Sequence, residues 1–185
     1  MFIETERTPN PATLKFLPGR AVMASGTADF PDPETAQDSP LAAALFSLGD
    51  IEGVFFGSDF VSVTKAEGSA DWAALKPQVL GIIVDHFAAG APLFTNEVDA
   101  EEELHDDPAD ADIVTQIREL IDTRVRPAVA NDGGDIIYRG FDKGVVFLRM
   151  QGACSGCPSS TATLKNGIEN LLKHYVPEVS EVRAV

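Results

Sequence analysis

Gly152-Ala153-Cys154-Ser155-Gly156-Cys157-Pro158-Ser159-Ser160 holds both cysteines of the 185-residue chain, three positions apart. That spacing lets both sulfurs point at one metal centre or at each other. Gly152 and Gly156 relieve the backbone where the loop turns tightly. Pro158 suits the first position of a helix, where its missing N–H costs nothing. The run Thr161 to Tyr175 reads as that helix, with Leu164, Ile168, Leu171, Leu172 and Tyr175 as its apolar stripe. Cys157 then takes the N-cap, where the helix dipole and unpaired N–H groups favour a thiolate. The loop is expected to present two ionised sulfurs at a surface.

Four chemistries share a Cys-x-x-Cys: a redox disulfide, half of a zinc site, half of an iron–sulfur site, or a structural pair. A zinc or iron–sulfur site within one chain needs about four ligands. Besides Cys154 and Cys157 the chain offers only His86, His105 and His174. His174 lies 17 residues past Cys157 in the same helix, so it cannot complete the site. Two chains related by a two-fold axis supply two plus two thiolates, and a metal held between protomers satisfies the count.

Working outward from the loop, residues 112–185 read as an α-β-β-α-β domain. Asp112 is expected to cap a helix with Ile113, Ile117, Leu120, Ile121 and Val125 on its inner face. Arg126-Pro127 disturbs that helix, and a short helical turn runs on to Asn131. Asn131-Asp132-Gly133-Gly134 is a turn, and turn geometry explains Gly133, Gly134 and Asp135 without a functional role. Asp135 to Phe141 and Val145 to Met150 form a hairpin, and Val179 to Val185 is a last strand. The cysteine loop leaves a strand end and enters a helix start, with helices on one face of a small sheet. Lys165 reads as a solvated lysine.

Residues 91–111 carry eight acids and no base, and they read as an acidic, solvated linker in which Pro108 breaks any helix. His105 lies in it without an assigned role. Residues 1–90 read as an α+β domain. Thr13 to Leu17 is a strand, Ala28 to Phe30 another, and Ser39-Pro40 opens a helix through Leu48 that Gly49 stops. Val54 to Phe56 and Phe60 to Lys65 form a hairpin around Gly57-Ser58-Asp59. Asp71 caps a longer helix to about Ala89, with Trp72, Leu75, Val79, Leu80, Ile83 and Phe87 at helical spacing. This half reads as a packing or partner-docking module, and His86 as a surface or core histidine.

The net charge of −15 falls on the first half (−7) and the linker (−8), leaving 112–185 neutral. Nucleic-acid binding needs clustered Lys and Arg, so no nucleic-acid partner is expected. No apolar run approaches the roughly 20 residues that span a bilayer, so no membrane partner is expected. The N-terminus has neither a secretory nor a transit-peptide layout. The expected location is the cytoplasm, bacterial in origin, with the mitochondrial matrix as the alternative for a processed organellar chain. In a reducing compartment a lone Cys-x-x-Cys favours metal or redox work over a structural disulfide.

Several motifs together resemble the Nfu family. Arg126-Pro127, Asp132-Gly133-Gly134-Asp135, Gly152-x-Cys154-x-x-Cys157-Pro158-Ser159-Ser160 and Thr161-x-Thr163-Leu164-Lys165-x-Gly167-Ile168-Glu169 look like the NifU carboxyl-terminal domain. Thr8-Pro9-Asn10-Pro11-x-Thr13-Leu14-Lys15-Phe16-Leu17-Pro18-Gly19 resembles the Nfu amino-terminal domain. The resemblance implies an iron–sulfur cluster carrier, not an enzyme. In that family two chains hold a [4Fe-4S] cluster by the residues matching Cys154 and Cys157, and pass it to client apoproteins. Its implied partners are a second copy of the chain, those clients, and upstream scaffold or carrier proteins. The cysteine-rich assembly domain of nitrogen-fixation NifU is not matched, so first assembly of clusters is not implied. A thiol–disulfide oxidoreductase and a structural zinc dimer are the competing readings. Against the former, no thioredoxin-like β-α-β pattern surrounds the cysteines and no Trp precedes Cys154.

Overall fold

The computed structural model describes residues 1–95, 106–154 and 158–185. The chain divides into two compact units, Met1–Ala100 and Glu101–Val185. Both mix helices with an antiparallel or mixed sheet, so the class is α+β.

The first unit is built on a five-stranded antiparallel sheet in the order β1-β2-β5-β4-β3. Its strands are β1 (Glu4–Arg7), β2 (Thr13–Leu17), β3 (Ala28–Phe30), β4 (Ile51–Phe56) and β5 (Val61–Lys65). Leu14, Phe16, Val54, Phe56, Val61 and Val63 share one face. They pack into one core with α1 (Pro40–Phe46) and α2 (Trp72–Ala88), through Leu41, Leu45, Val79 and Ile83. Ser39 caps α1, its Oγ accepting from the Ala42 N–H at 3.3 Å. That helix ends at Phe46, two residues before the expected Leu48, and Gly49 turns the chain with φ +81°. Asp71 occupies the N-cap of α2 without a side-chain bond. β1 has no counterpart in the sequence reading. Glu-Thr-Glu-Arg shows no apolar alternation because it is an exposed edge strand, ordered by pairing with β2.

The centre of the sheet's second face is buried too, at Thr13, Lys15, Phe55 and Ser62. Thr13 and Thr64 join hydroxyls at 2.7 Å, and Lys15, Ser62 and Phe55 lie in one register row. The ring of Phe60 folds back over Phe55 and Lys15. Gly57 permits this, since a Cβ there would collide with the Phe60 ring.

In the second unit α3 (Ala111–Leu120) runs through a π-helical turn, Ile121–Val125, into α4 (Arg126–Asn131). Pro127 has no N–H to return to the preceding turn, and the Arg126 N–H reaches back to the Ile121 carbonyl. Val114, Ile117, Ile121, Val125 and Val129 still keep one buried seam. Asp112 does not cap this helix; it lies inside the first turn, with Asp110 at the N-cap. Nor does Pro108 break helical structure. It starts a 3-10 turn, Pro108–Asp110, whose cap is Asp107, because a proline at the first position forfeits no bond. At the other end of the acidic stretch Leu93 and Phe94 pack on the core of the first unit, and 96–105, with His105, lie outside the described residues.

β6 (Gly134–Asp142) and β7 (Val145–Gly152) pair antiparallel, and β8 (Glu181–Ala184) joins β7 in parallel after the crossover through α5 (Pro158–Tyr175). Ile136, Tyr138, Val146, Leu148 and Val182 meet the α3–α4 seam and Ile168 and Leu172 of α5 in one core. The end of β7, the start of β6 and the start of α5 therefore converge on the cysteine loop.

Candidate metal centre

β7 ends at Gly152, whose φ of +65° turns the chain out of the ladder. The Ala153 N–H then donates to the Gly133 carbonyl at 3.2 Å, tying the loop to the turn before β6. Cys154 follows, 7% exposed and part of the domain core. Gly134 lies beneath it. A Cβ on Gly134 would stand 2.6 Å from the Gln151 carbonyl oxygen and 2.7 Å from Cys154 Sγ. Only a bare backbone fits that approach. Ser155, Gly156 and Cys157 lie outside the described residues, and with them the expected N-cap role of Cys157. Pro158 does open α5.

The turn is held from outside by an ion pair. Arg126 Nε and Nη2 donate to Asp135 Oδ1 and Oδ2 at 2.9 and 2.8 Å, a two-pronged contact. Asp135 is 4% exposed, and its Oδ1 also accepts from the Ile136 N–H at 2.8 Å. Arg126 Nη1 reaches Asp122 Oδ1 at 3.3 Å. The Asp135 hydrogen bonds hold the guanidinium more firmly protonated than usual. Thus the residues assigned only turn geometry, Gly133, Gly134 and Asp135, fix the backbone on which Cys154 rests. Sequence offered one signal for this: an Arg and an Asp nine positions apart, bracketing a Gly pair in a neutral domain.

The expectation of two ionised sulfurs at a surface does not hold for Cys154. Burial, and then the charges of Asp132 and Asp135, push its thiol up to about 12. The loop tucks Cys154 against the Gly134 backbone, and the nearby guanidinium is engaged by carboxylates. The metal-free thiol is neutral near pH 7 and gives up its proton when a metal binds.

Among the described residues no group of three or more His, Cys, Asp or Glu is placed to hold a metal ion. His174 packs edge-on to Tyr175 in the last turn of α5. His86 belongs to the first unit; its Nε2 is buried without a hydrogen-bond partner among the described residues, and burial lowers its pKa. The charge of Lys165 acts on Glu169 and Glu181. Gln151 is 7% exposed beside the loop, and its Oε1 has no hydrogen-bond partner among the described residues.

Residues 3–90 match the family model for the scaffold protein Nfu/NifU N terminal, and residues 117–183 match the NifU-like domain. The human NFU1 iron-sulfur cluster scaffold homolog, mitochondrial, is 50% identical over 185 residues, covering 100% of this chain and 72% of that protein. The chain belongs to the Nfu family. A relative of the same name in Drosophila sechellia is 51% identical over all of this chain and 65% of its own length. NifU-like protein 5, mitochondrial, of Arabidopsis thaliana is 51% identical over 98% of this chain and 67% of that one. A solution structure of a NifU-like protein from Saccharomyces cerevisiae aligns with 52% of the chain and 87% of its own, at 25% identity and TM-score 0.47. These Nfu relatives are named mitochondrial, which fits the organellar alternative and lends nothing to a bacterial cytoplasm. For this Nfu chain, the motif residues Arg126, Gly133, Gly134, Asp135 and Cys154 gather in one place.

Proposed function

We propose that this chain is an iron–sulfur cluster carrier. Two protomers hold a [4Fe-4S] cluster through Cys154 and Cys157 of each and hand it to client apoproteins. Clusters reach it from upstream scaffold or carrier proteins. The observation that carries the reading is the seat of Cys154: a thiol on a glycine-floored loop in a chain with two cysteines. Full ligation of an iron–sulfur cube takes four thiolates, and one chain has half of them. The names of its relatives, iron-sulfur cluster scaffold homologs, support the same cargo. Their mitochondrial names favour the organellar location over the bacterial one.

The cluster is cargo, and its entry displaces the Cys154 proton while its departure restores it. A shared site is opened by separating two chains, so a client's thiolates can replace the carrier's one by one. The chain is assigned no turnover chemistry of its own. A disulfide oxidoreductase would use an exposed thiolate of low pKa, whereas Cys154 is buried with a raised one.

Anaerobic reconstitution with iron and sulfide tests the reading. The expected product is a brown dimer, lost in Cys154→Ser and in Cys157→Ser. A colourless, metal-tight dimer would instead establish structural zinc. A metal-loaded single chain with all its ligands internal would end the proposal.

A further inference from the structure

The first unit carries a groove at its edge. β1 has β2 on one side and, among the described residues, no strand on the other. The register sets Thr5 opposite Phe16 and Arg7 opposite Leu14. Phe16 and Leu14 belong to the helix-covered core, so Thr5 and Arg7 stand on the helix side of the strand. Glu6 stands on the far side, 3.3 Å from Lys15 Nζ. α2 begins alongside. Its Trp72 ring lies 6.4 Å from that of Phe16, and Trp72 Nε1 donates to the Pro11 carbonyl at 3.3 Å. Between β1 and the first turns of α2 lies an open groove of about 560 Å³, walled by Thr5, Arg7, Pro11, Trp72 and Lys76.

A sheet edge beside a helix is the setting in which an extended peptide adds as one more strand. Its backbone pairs with the edge, and alternate side chains drop between strand and helix. Charge then selects the peptide. Arg7 and Lys76 are both exposed, and neither pairs with a carboxylate among the described residues. Among the described residues the one carboxylate bordering the groove, Glu6, is engaged by Lys15 behind the strand. The groove is therefore basic within a domain of net charge −7, where a basic peptide would be drawn elsewhere.

We propose that the β1–α2 groove binds an extended acidic segment of a partner protein. Its backbone pairs with β1, its carboxylates meet Arg7 and Lys76, and an apolar side chain rests on Trp72. This gives the first domain a docking role that is independent of the cysteine site.

The test is an amide-resolved NMR titration of the full chain with two capped hexapeptides, Glu-Val-Asp-Val-Glu-Val and Lys-Val-Lys-Val-Lys-Val. The acidic peptide should shift the amides of residues 4–8 and 72–76, and the basic one should not. The doubly substituted Arg7→Glu/Lys76→Glu chain should weaken binding about tenfold or more. Both side chains are exposed, so that variant keeps its fold, which the unshifted signals of the core report directly. The proposal is overturned by no shifts, by shifts elsewhere, by equal response to both peptides, or by binding indifferent to the charge reversal. Concentration-dependent shifts of the same amides without peptide would give the groove to a second copy of the chain and overturn it too. Cluster reconstitution is read separately, so either outcome leaves the carrier reading to its own experiment.

Discussion

Gly134 is the residue on which the cysteine seat turns. Its hydrogen takes the place of a Cβ that would press on Cys154 Sγ at 2.7 Å and the Gln151 carbonyl at 2.6 Å. Neither neighbour is the far end of a flexible chain, so one of them must move. Gly134→Ala should cost about 1–3 kcal/mol in urea unfolding, as overpacking does. Its clearer effect should be on reconstituted absorbance, which should fall to the level of Cys154→Ser. Wild-type absorbance in that variant would show that the seat tolerates displacement. Asp135 is the second such residue. Asp135→Ala leaves the Arg126 guanidinium with Asp122 alone, and its side chain is 36% exposed, so water recovers part of the loss. The expected cost is about 1–3 kcal/mol, read as a lower urea midpoint. An unchanged midpoint would mean that the ion pair contributes nothing to holding the turn.

At the scale of elements, α3 and the sheet of the second unit are clipped together by Asp106. Its Oδ1 accepts from the Tyr138 hydroxyl at 2.7 Å and from the Phe141 N–H at 3.2 Å, beside the register shift of β6. The Arg118 guanidinium lies over the Tyr138 ring, 5.0 Å from its centroid, and 3.8 Å from Asp106 Oδ2. Burial, and then the Asp106 hydrogen bond, raise the Tyr138 pKa above the ordinary tyrosine value. The folded chain therefore keeps a proton that the unfolded chain loses above about pH 10. Bound protons are then fewer in the unfolded state, so stability falls as pH rises through that range. Tyr138→Phe should lose some stability at pH 7 and show a shallower decline of urea midpoint between pH 9 and 11. Parallel declines in the two proteins would remove Tyr138 from the alkaline behaviour.

Across the whole molecule, the proposed four-thiolate site raises the question of who supplies its other two ligands. Mixing wild type with an equal amount of Cys154→Ser/Cys157→Ser chain before reconstitution separates the answers. If the cluster is shared, the coloured species should have the mass of two chains and be free of the double variant; if each chain loads alone, it should have the mass of one chain. The two units have separate hydrophobic cores, one in residues 14–83 and one in 114–182. Cleavage between residues 95 and 106 should therefore leave both fragments folded, checked by their amide dispersion. Collapse of either would mean that one core depends on the other.

The sequence by itself determined most of the elements and the count of two cysteines. Apolar periodicity marked the α2 and α5 helices and the β4–β5 and β6–β7 hairpins, because burial on one face leaves a repeat of 3.6 or 2 residues. Spacing alone put both thiols on one loop between a strand and a helix. It could not show β1, whose charged edge carries no apolar repeat and whose partner lies across a turn. It also misread Cys154 as an exposed thiolate, since burial depends on what folds over a residue and not on its neighbours in the chain. Only the tertiary structure decided that Gly134 lies under Sγ and that Arg126 grips Asp135. Those contacts join positions 9 to 20 residues apart, and a separation of that kind leaves no periodic trace in a single sequence.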